Sequence, residues 1–204
     1  MQLFVVSAPS GAGKTSLVRR TVKELAQLSV SVSHTTRGIR TGEVDGEDYH
    51  FVDRDAFEQM ISAGQFLEYA NVFGHYYGTS IDVVKAMLGI GIDVILEIDW
   101  QGAEQVRKTL PDAVAIFILP PSREALIERL TSRGQDSEEV IERRTLEAVD
   151  EMRQHHHADF LIINDNFDEA LSELKAIIVS QRLDQARQGR LHAELIESLI
   201  SLKP

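Results

Sequence analysis

The segment Ala8-Pro9-Ser10-Gly11-Ala12-Gly13-Lys14-Thr15 constrains the fold more than any other part of the chain. It follows a short apolar run, Gln2–Ser7, and precedes a stretch in which Leu17, Val18, Val22 and Leu25 recur at helical spacing. A glycine-punctuated turn between a strand and a helix, closed by Gly-Lys-Thr, has the form of a phosphate-binding loop. Glycines let backbone N–H groups turn inward around phosphate oxygens, and the helix N-terminus adds the positive end of its dipole. Lys14 then reaches the β- and γ-phosphates, and Thr15 offers its hydroxyl to Mg²⁺. One departure from G-x-x-x-x-G-K-[ST] is Ala8 in place of the first glycine, a change that a negative φ accommodates. The loop predicts binding of a nucleoside triphosphate.

Beyond the loop, strand and helix signals alternate. Val30 and Val32 alternate with serines, Ile92–Ile98 and Ala113–Leu119 are apolar runs of strand length, and Pro120-Pro121 stops the second. Phe160–Ile163 is another such run, ended by the turn-prone Asn164-Asp165-Asn166. Helical patterns cover about 102–110, 122–132 with Ser122 as N-cap, 138–154 after Ser137, and 168–187 before Gly189. Five apolar strands separated by helices predict a three-layer α/β fold with a parallel sheet covered on both faces. Arg37–Thr79 differs: glycines at 38, 42, 46, 64 and 74 punctuate it, and Tyr49–Val52 and Phe66–Phe73 alternate. It reads as an inserted, partly antiparallel subdomain. The leucines at 191, 195, 199 and 202 form an amphipathic stripe that packs either on the core or on a second subunit, as a homo-oligomer would need.

Composition narrows the partners. With 204 residues the chain is sized for one domain. Its 21 Lys and Arg against 32 Asp and Glu leave a formal charge of −11, which disfavours a nucleic-acid surface. The absence of cysteine excludes thiolate metal sites and thiol nucleophiles. No apolar run reaches membrane-spanning length and the N-terminus lacks a basic signal-type region, so a cytoplasmic protein without a membrane partner is expected.

The polar stretch from Ser33 to Tyr49 sets the second half of the site. Arg37 and Arg40 stand three apart on a glycine-rich loop, suited to gripping a second phosphate, with Tyr49 as a neutral donor. The alternative is two surface arginines paired with Glu43, Asp45 and Glu47. Here T-T-R-x-x-R-x-G-E-x-x-G-x-D-Y-x-F, over Thr35–Phe51, resembles the signature of the guanylate kinase family, bacterial type. The resemblance continues through Gly64–Ala70, Tyr76–Thr79, Leu96–Gly102 and Arg129–Gly134, and spans about residues 3–186.

That resemblance implies transfer of the γ-phosphoryl of ATP to GMP or dGMP, with Mg²⁺. It implies a core over about 1–32, 84–124 and 148–204, a GMP-binding insertion over about 33–83 and a lid over about 125–147. Arg37, Arg40, Tyr49 and Tyr77 would hold the GMP phosphate, and Ser33, Glu68 and Thr79 would read guanine. Glu97 and Asp99 would lie near the guanosine and the Mg²⁺ water shell, with Glu43 and Gly78 also among the substrate-binding residues. Ile39 stands where the family often has Pro, and His34 where it often has Ser.

The chemistry is consistent with that assignment. Guanine presents N1–H and N2–H₂ donors that one carboxylate accepts in parallel, whereas its O6 wants hydroxyl donors. Arg129, Arg133 and Arg144 are the lid arginines that would meet charge on the transferring phosphoryl; otherwise they pair with Glu128, Glu138 or Glu147. No general base is required, because the attacking phosphate is already ionised. Lys14, Arg37, Arg40, Arg129, Arg133 and Arg144 would converge on one cleft, leaving the acidic excess mostly elsewhere. His155-His156-His157 fan around a helix end instead of converging on a metal. Two other functions compete: a non-catalytic interaction module of the same fold, disfavoured by Gly13-Lys14-Thr15, and a P-loop kinase for another acceptor, disfavoured by Ser33, Glu68 and Thr79.

Overall fold

The computed structural model describes residues 1–72, 74–132 and 138–201. In chain order these form β1 (Leu3–Ser7), α1 (Lys14–Glu24), β2 (Leu28–Val30), β3 (His34–Thr35), β4 (His50–Phe51), α2 (Arg54–Ser62), β5 (Phe66–Val72), β6 (His75–Ser80) and α3 (Ile81–Gly89). They continue with β7 (Asp93–Glu97), α4 (Trp100–Thr109), β8 (Val114–Leu119), α5 (Arg123–Thr131), α6 (Glu138–Arg153), β9 (Phe160–Ile163), α7 (Phe167–Arg182), α8 (Gln185–Leu191) and α9 (Ala193–Ile200).

The apolar runs build a five-stranded, all-parallel sheet in the order β2-β7-β1-β8-β9. The central strands β7, β1 and β8 are buried on both sides because helices cover both faces there, whereas the edge strand β9 leaves Leu161 and Ile163 exposed. Phe4, Val6, Ile116 and Ile118 pack against Leu17 and Val18 of α1 and Leu174 and Ile178 of α7. Leu3, Val5, Val94 and Leu96 face the other way, against Val84 of α3 and Val106 of α4. β1 is central, and the chain leaves the adjacent strands β1 and β7 in opposite directions, to β2 and to β8, so their carboxyl ends open on a crevice where such sheets bind ligands.

The segment between β2 and β7 folds separately into a four-stranded mixed sheet, β4-β3-β6-β5. It docks on the core through Leu67, which joins the apolar cluster of α3 and α4, and through Gln105. The Gln105 side chain accepts from the Tyr69 amide at 3.2 Å and donates to the Tyr69 carbonyl at 2.8 Å. The Arg19 side chain of α1 also donates to Asp48.

Several elements differ from the sequence pattern. The second strand is Leu28–Val30 and ends before Val32. Helices α2 and α3 escape the apolar periodicity because each fully buries one side chain, Phe57 and Val84. Asp53 caps α2, accepting from the Ala56 amide at 2.7 Å. The helix expected over 168–187 is two helices, because Leu183 ends α7 and Asp184 caps α8 through the Arg187 amide at 3.1 Å. Gly189 therefore lies inside α8. The last leucine of the C-terminal stripe, at 202, falls outside the described residues, and Leu195, Ile196, Leu199 and Ile200 of α9 are exposed. Among the described residues no helix is long and apolar enough to cross a membrane.

Asp93 ties these last helices to the sheet. Its carboxylate, 1% exposed, accepts from the Gln2 amide at 2.7 Å, Arg182 Nε at 2.8 Å and Arg187 at 3.1 Å. Removing one partner of a buried ion cluster strands the others, so Asp93→Ala should lower unfolding free energy by about 2–4 kcal/mol. Urea unfolding measures this, and the midpoint should fall without loss of cooperativity.

Candidate active site

The phosphate loop connects β1 to α1 and turns on two glycines in left-handed conformation, Gly11 (φ 92°) and Gly13 (φ 91°). Ala8 needs no such conformation; the sole non-glycine with positive φ among the described residues is Gln27. Behind the loop, the Asn164 side chain, 4% exposed, donates to the Ala12 carbonyl at 2.7 Å. A Cβ on Gly13 would overlap Asn164 Nδ2, so this glycine is required for space as well as for φ. Lys14 Nζ donates to the Ile98 carbonyl at 3.2 Å, and Thr15 Oγ1 to Glu97 at 2.8 Å, joining the loop to the end of β7.

Facing the loop, across a cleft of about 340 Å³, stands the mixed sheet. Ser33, Arg37, Arg40, Glu43, Tyr49, Glu68 and Tyr77 line it, opposite Lys14, Thr15, Glu97 and Asp99. Both readings of the arginine loop hold in part. Arg37 pairs with Glu43 at 2.7 Å, and the other Glu43 oxygen accepts from the Arg40 amide at 2.8 Å, yet both arginine side chains reach the cleft. The Arg37 guanidinium lies 5.4 Å from the Tyr49 ring centre and 5.7 Å from that of Phe51, in cation–π contact. Burial, with Tyr77 and Glu97 adding to it, raises the Tyr49 phenol above its ordinary value, keeping it a neutral donor.

Beneath the far end of the cleft, Glu68 is 3% exposed and accepts from Thr79 Oγ1 at 2.5 Å; the Thr79 hydroxyl is 3.2 Å from that of Ser33. Desolvation pushes Glu68 up to about 7, against the Thr79 hydrogen bond. Gly102, in the first turn of α4, leaves room for that carboxylate: a Cβ there would come within 2.5 Å of Glu68 Oε2. Asp99 caps this helix, accepting from the Gly102 amide at 2.9 Å.

Not every expected residue lines the cleft. Thr79 is buried behind Glu68, and Gly78 packs below the sheet, where a Cβ would meet Phe66 at 2.9 Å. Pro9, Ser10, Gly11 and Gly13 line the cleft, whereas Ala12 is buried under it. Arg144 lines the cleft, but Arg129 does not: its guanidinium donates to the Asn164 carbonyl at 2.9 Å. Arg133 lies outside the described residues. Glu43, Glu68, Glu97, Asp99 and Glu151 line the cleft beside Lys14, Arg37, Arg40 and Arg144, so its charges nearly balance and most of the chain's acidic excess lies outside it. His34 does not line the cleft and packs against His50, ring centres 4.7 Å apart and planes tilted by 35°, while Ile39 is exposed.

Sequence reasoning passed over Asn164, Gly102 and Glu151. Burial pushes Glu151 up to about 7, against the Lys14 charge and a hydrogen bond from the Ser10 amide. It stands seven residues after Arg144 on α6, two helical turns along one face, a spacing that could have shown it.

The guanylate kinase family model matches residues 1–181. This chain belongs to the guanylate kinase family. It is 56% identical over 198 residues to a guanylate kinase of Alkalilimnicola ehrlichii, covering 97% of this chain and 98% of that one. Against the guanylate kinase of Escherichia coli (strain K12) it is 54% identical over 201 residues, covering 98% and 97%. The crystal structure of guanylate kinase from Anaplasma phagocytophilum superposes with a TM-score of 0.80 at 30% identity, covering 100% of this chain and 97% of that one.

The Asn164 clamp gives a direct test. Asn164→Ala leaves the Ala12 carbonyl unpaired beneath the loop and should reduce stability by about 1–3 kcal/mol. Nucleotide-dependent turnover should fall with it, whereas Asn166→Ala, which removes only the α7 cap, should leave the rate per folded molecule unchanged. Thermal melts and initial rates compare the two.

Proposed function

We propose that this protein transfers the γ-phosphoryl of ATP to GMP, giving ADP and GDP. The observation that carries this reading is the buried Glu68 carboxylate, backed by Thr79 and Ser33, placed across one cleft from a glycine-turned phosphate loop. Gly11, Gly13 and Lys14 would hold the triphosphate; Arg37, Arg40, Tyr49 and Tyr77 would hold the acceptor phosphate. Arg144 reaches the same space from α6 and would meet charge on the phosphoryl in flight. Glu43 then acts as the strut that fixes Arg37 and the Arg40 backbone. The intact Gly13-Lys14-Thr15 loop disfavours a non-catalytic module.

Mg²⁺ fits the donors present. The Thr15 hydroxyl and the Glu97 carboxylate are 2.8 Å apart, with Asp99 on the same side of the cleft, and all are hard oxygens. A Mg²⁺ held chiefly by phosphates and water needs no more protein ligands than these, and when bound it would neutralise the phosphate oxygens. The core, insertion and lid would follow the expected ranges, with the insertion near 33–83 and the lid near 125–147.

Glu68 must be anionic to accept two guanine donors. Its raised value means that the empty site holds a proton near neutrality and that GMP binding expels it. Affinity is therefore full above about 7 and weakens as pH falls, approaching about tenfold per unit. The KM for GMP should follow this profile, and Glu68→Gln should flatten it while weakening discrimination against AMP. The second ionisation of GMP, near about 6, affects both proteins alike.

Gly102→Ala should crowd the same carboxylate and raise the KM for GMP at least roughly tenfold, with the KM for ATP unchanged. Lys14→Ala should lower kcat about a hundredfold to a thousandfold. Each is read in an ADP-release assay. Full activity in Lys14→Ala would remove the phosphate-loop assignment.

A further inference from the structure

On the face of the parallel sheet that carries α4, a second cavity of about 300 Å³ lies apart from the nucleotide cleft. It exists because four positions are small: Ser7 on β1, Ala115 on β8, Ala103 on α4 and Ala158 before β9. The register sets Val5 beside Ala115 and Ser7 beside Phe117, and Val5 packs in the α4-side cluster, so this row faces the helix. Larger residues at these positions would have filled the gap between sheet and helix.

The floor of the cavity carries an unmet polar group. Ser7 is 5% exposed, and its hydroxyl has no hydrogen-bond partner among the described residues. Buried hydroxyls are normally partnered, so this one points to a group that the cavity receives. Trp100 and Phe117 supply flat apolar walls. The mouth is polar: Arg107 is held by Asp159 at 2.8 Å, and the exposed Lys108 pairs with Glu104 at 2.9 Å. Each of these cations has its own carboxylate, but Lys108 and Glu104 are both well exposed, where such a pair is weak, so the Lys108 ammonium can turn to an anionic group at the mouth while Arg107 stays with Asp159.

We propose that this cavity is a second ligand site, for a small planar aromatic anion of about two fused rings. The ring system lies between Trp100 and Phe117, a polar edge meets the Ser7 hydroxyl, and the anionic group sits at the Lys108 side of the mouth. The site does not depend on the nucleotide reading, since none of these residues lines the first cleft.

Trp100 is the single tryptophan of the chain and lines this cavity, and saturating nucleotides separate dye bound here from dye bound in the neighbouring cleft. The full chain is titrated with anilinonaphthalene sulfonate, exciting Trp100 and reading sensitised emission from the dye, with and without saturating GMP and ADP. Saturable one-to-one binding, unaffected by the nucleotides, is the expected result. Ala115→Leu, which fills the cavity from the sheet, and Ala103→Leu, which fills it from the helix, should each weaken binding at least about tenfold. Both should keep their melting behaviour close to that of the parent, and either one, if folded, suffices for the comparison. Lys108→Glu should weaken the dye by roughly threefold or more. Absence of saturable Trp100-sensitised emission from the parent protein would overturn the proposal, as would undiminished binding in a folded filled variant. Unchanged affinity in Lys108→Glu would overturn the choice of an anion.

Discussion

Backbone N–H groups at the end of β1, held open by two left-handed glycines, are the constraint on which the rest depends. Such a turn cannot hold itself: its amides repel one another until an anion arrives. The protein supports it from three sides. Asn164 grips the Ala12 carbonyl from just beyond β9, Lys14 and Thr15 reach to the end of β7, and Glu151 of α6 lines the cleft beside the loop. Arg129 binds the carbonyl of the same Asn164, so the element after β8 and the phosphate loop share one anchor.

A second constraint acts across the cleft. Burying Glu68 without a cation is unfavourable, and the raised titration of its carboxyl reflects that cost. The arrangement persists because Thr79 donates to it and Gly102 leaves it space. A carboxylate kept dry and partly protonated is poorly solvated until donors arrive, which suits a base with two adjacent N–H groups and suits adenine poorly.

Much of this was legible in the residues. Four of the five core strands are visible because strands buried on both faces need unbroken apolar runs, the edge strand β2 only through alternating valines that misplace its end, and the phosphate loop because glycine, lysine and threonine spacing carries backbone geometry. The short helices α2 and α3 were not, since one buried residue each leaves no period to read. Nor was the break at Leu183-Asp184, where a single capping side chain outweighs a continuing pattern. Arg129 shows a further limit: spacing placed it on a helix face, but not the direction in which its guanidinium points. Gly102 and Asn164 act through contacts remote in sequence, which no local pattern records.

Net charge was informative about the partner's size and misleading about the cleft. Carboxylates and arginines line it together, and each carboxylate acts differently. Glu43 fixes an arginine, Glu97 receives Thr15, and Glu68 lies buried at the end of the cleft where we propose that the acceptor base binds. The most direct test is the initial rate of ADP release from ATP with Mg²⁺, with GMP, AMP and UMP compared as acceptors. Turnover stimulated by GMP, with kcat/KM for AMP lower by about a thousandfold or more, is the predicted result. No stimulation by GMP would contradict the account, and equal rates with GMP and AMP would contradict the role given to Glu68.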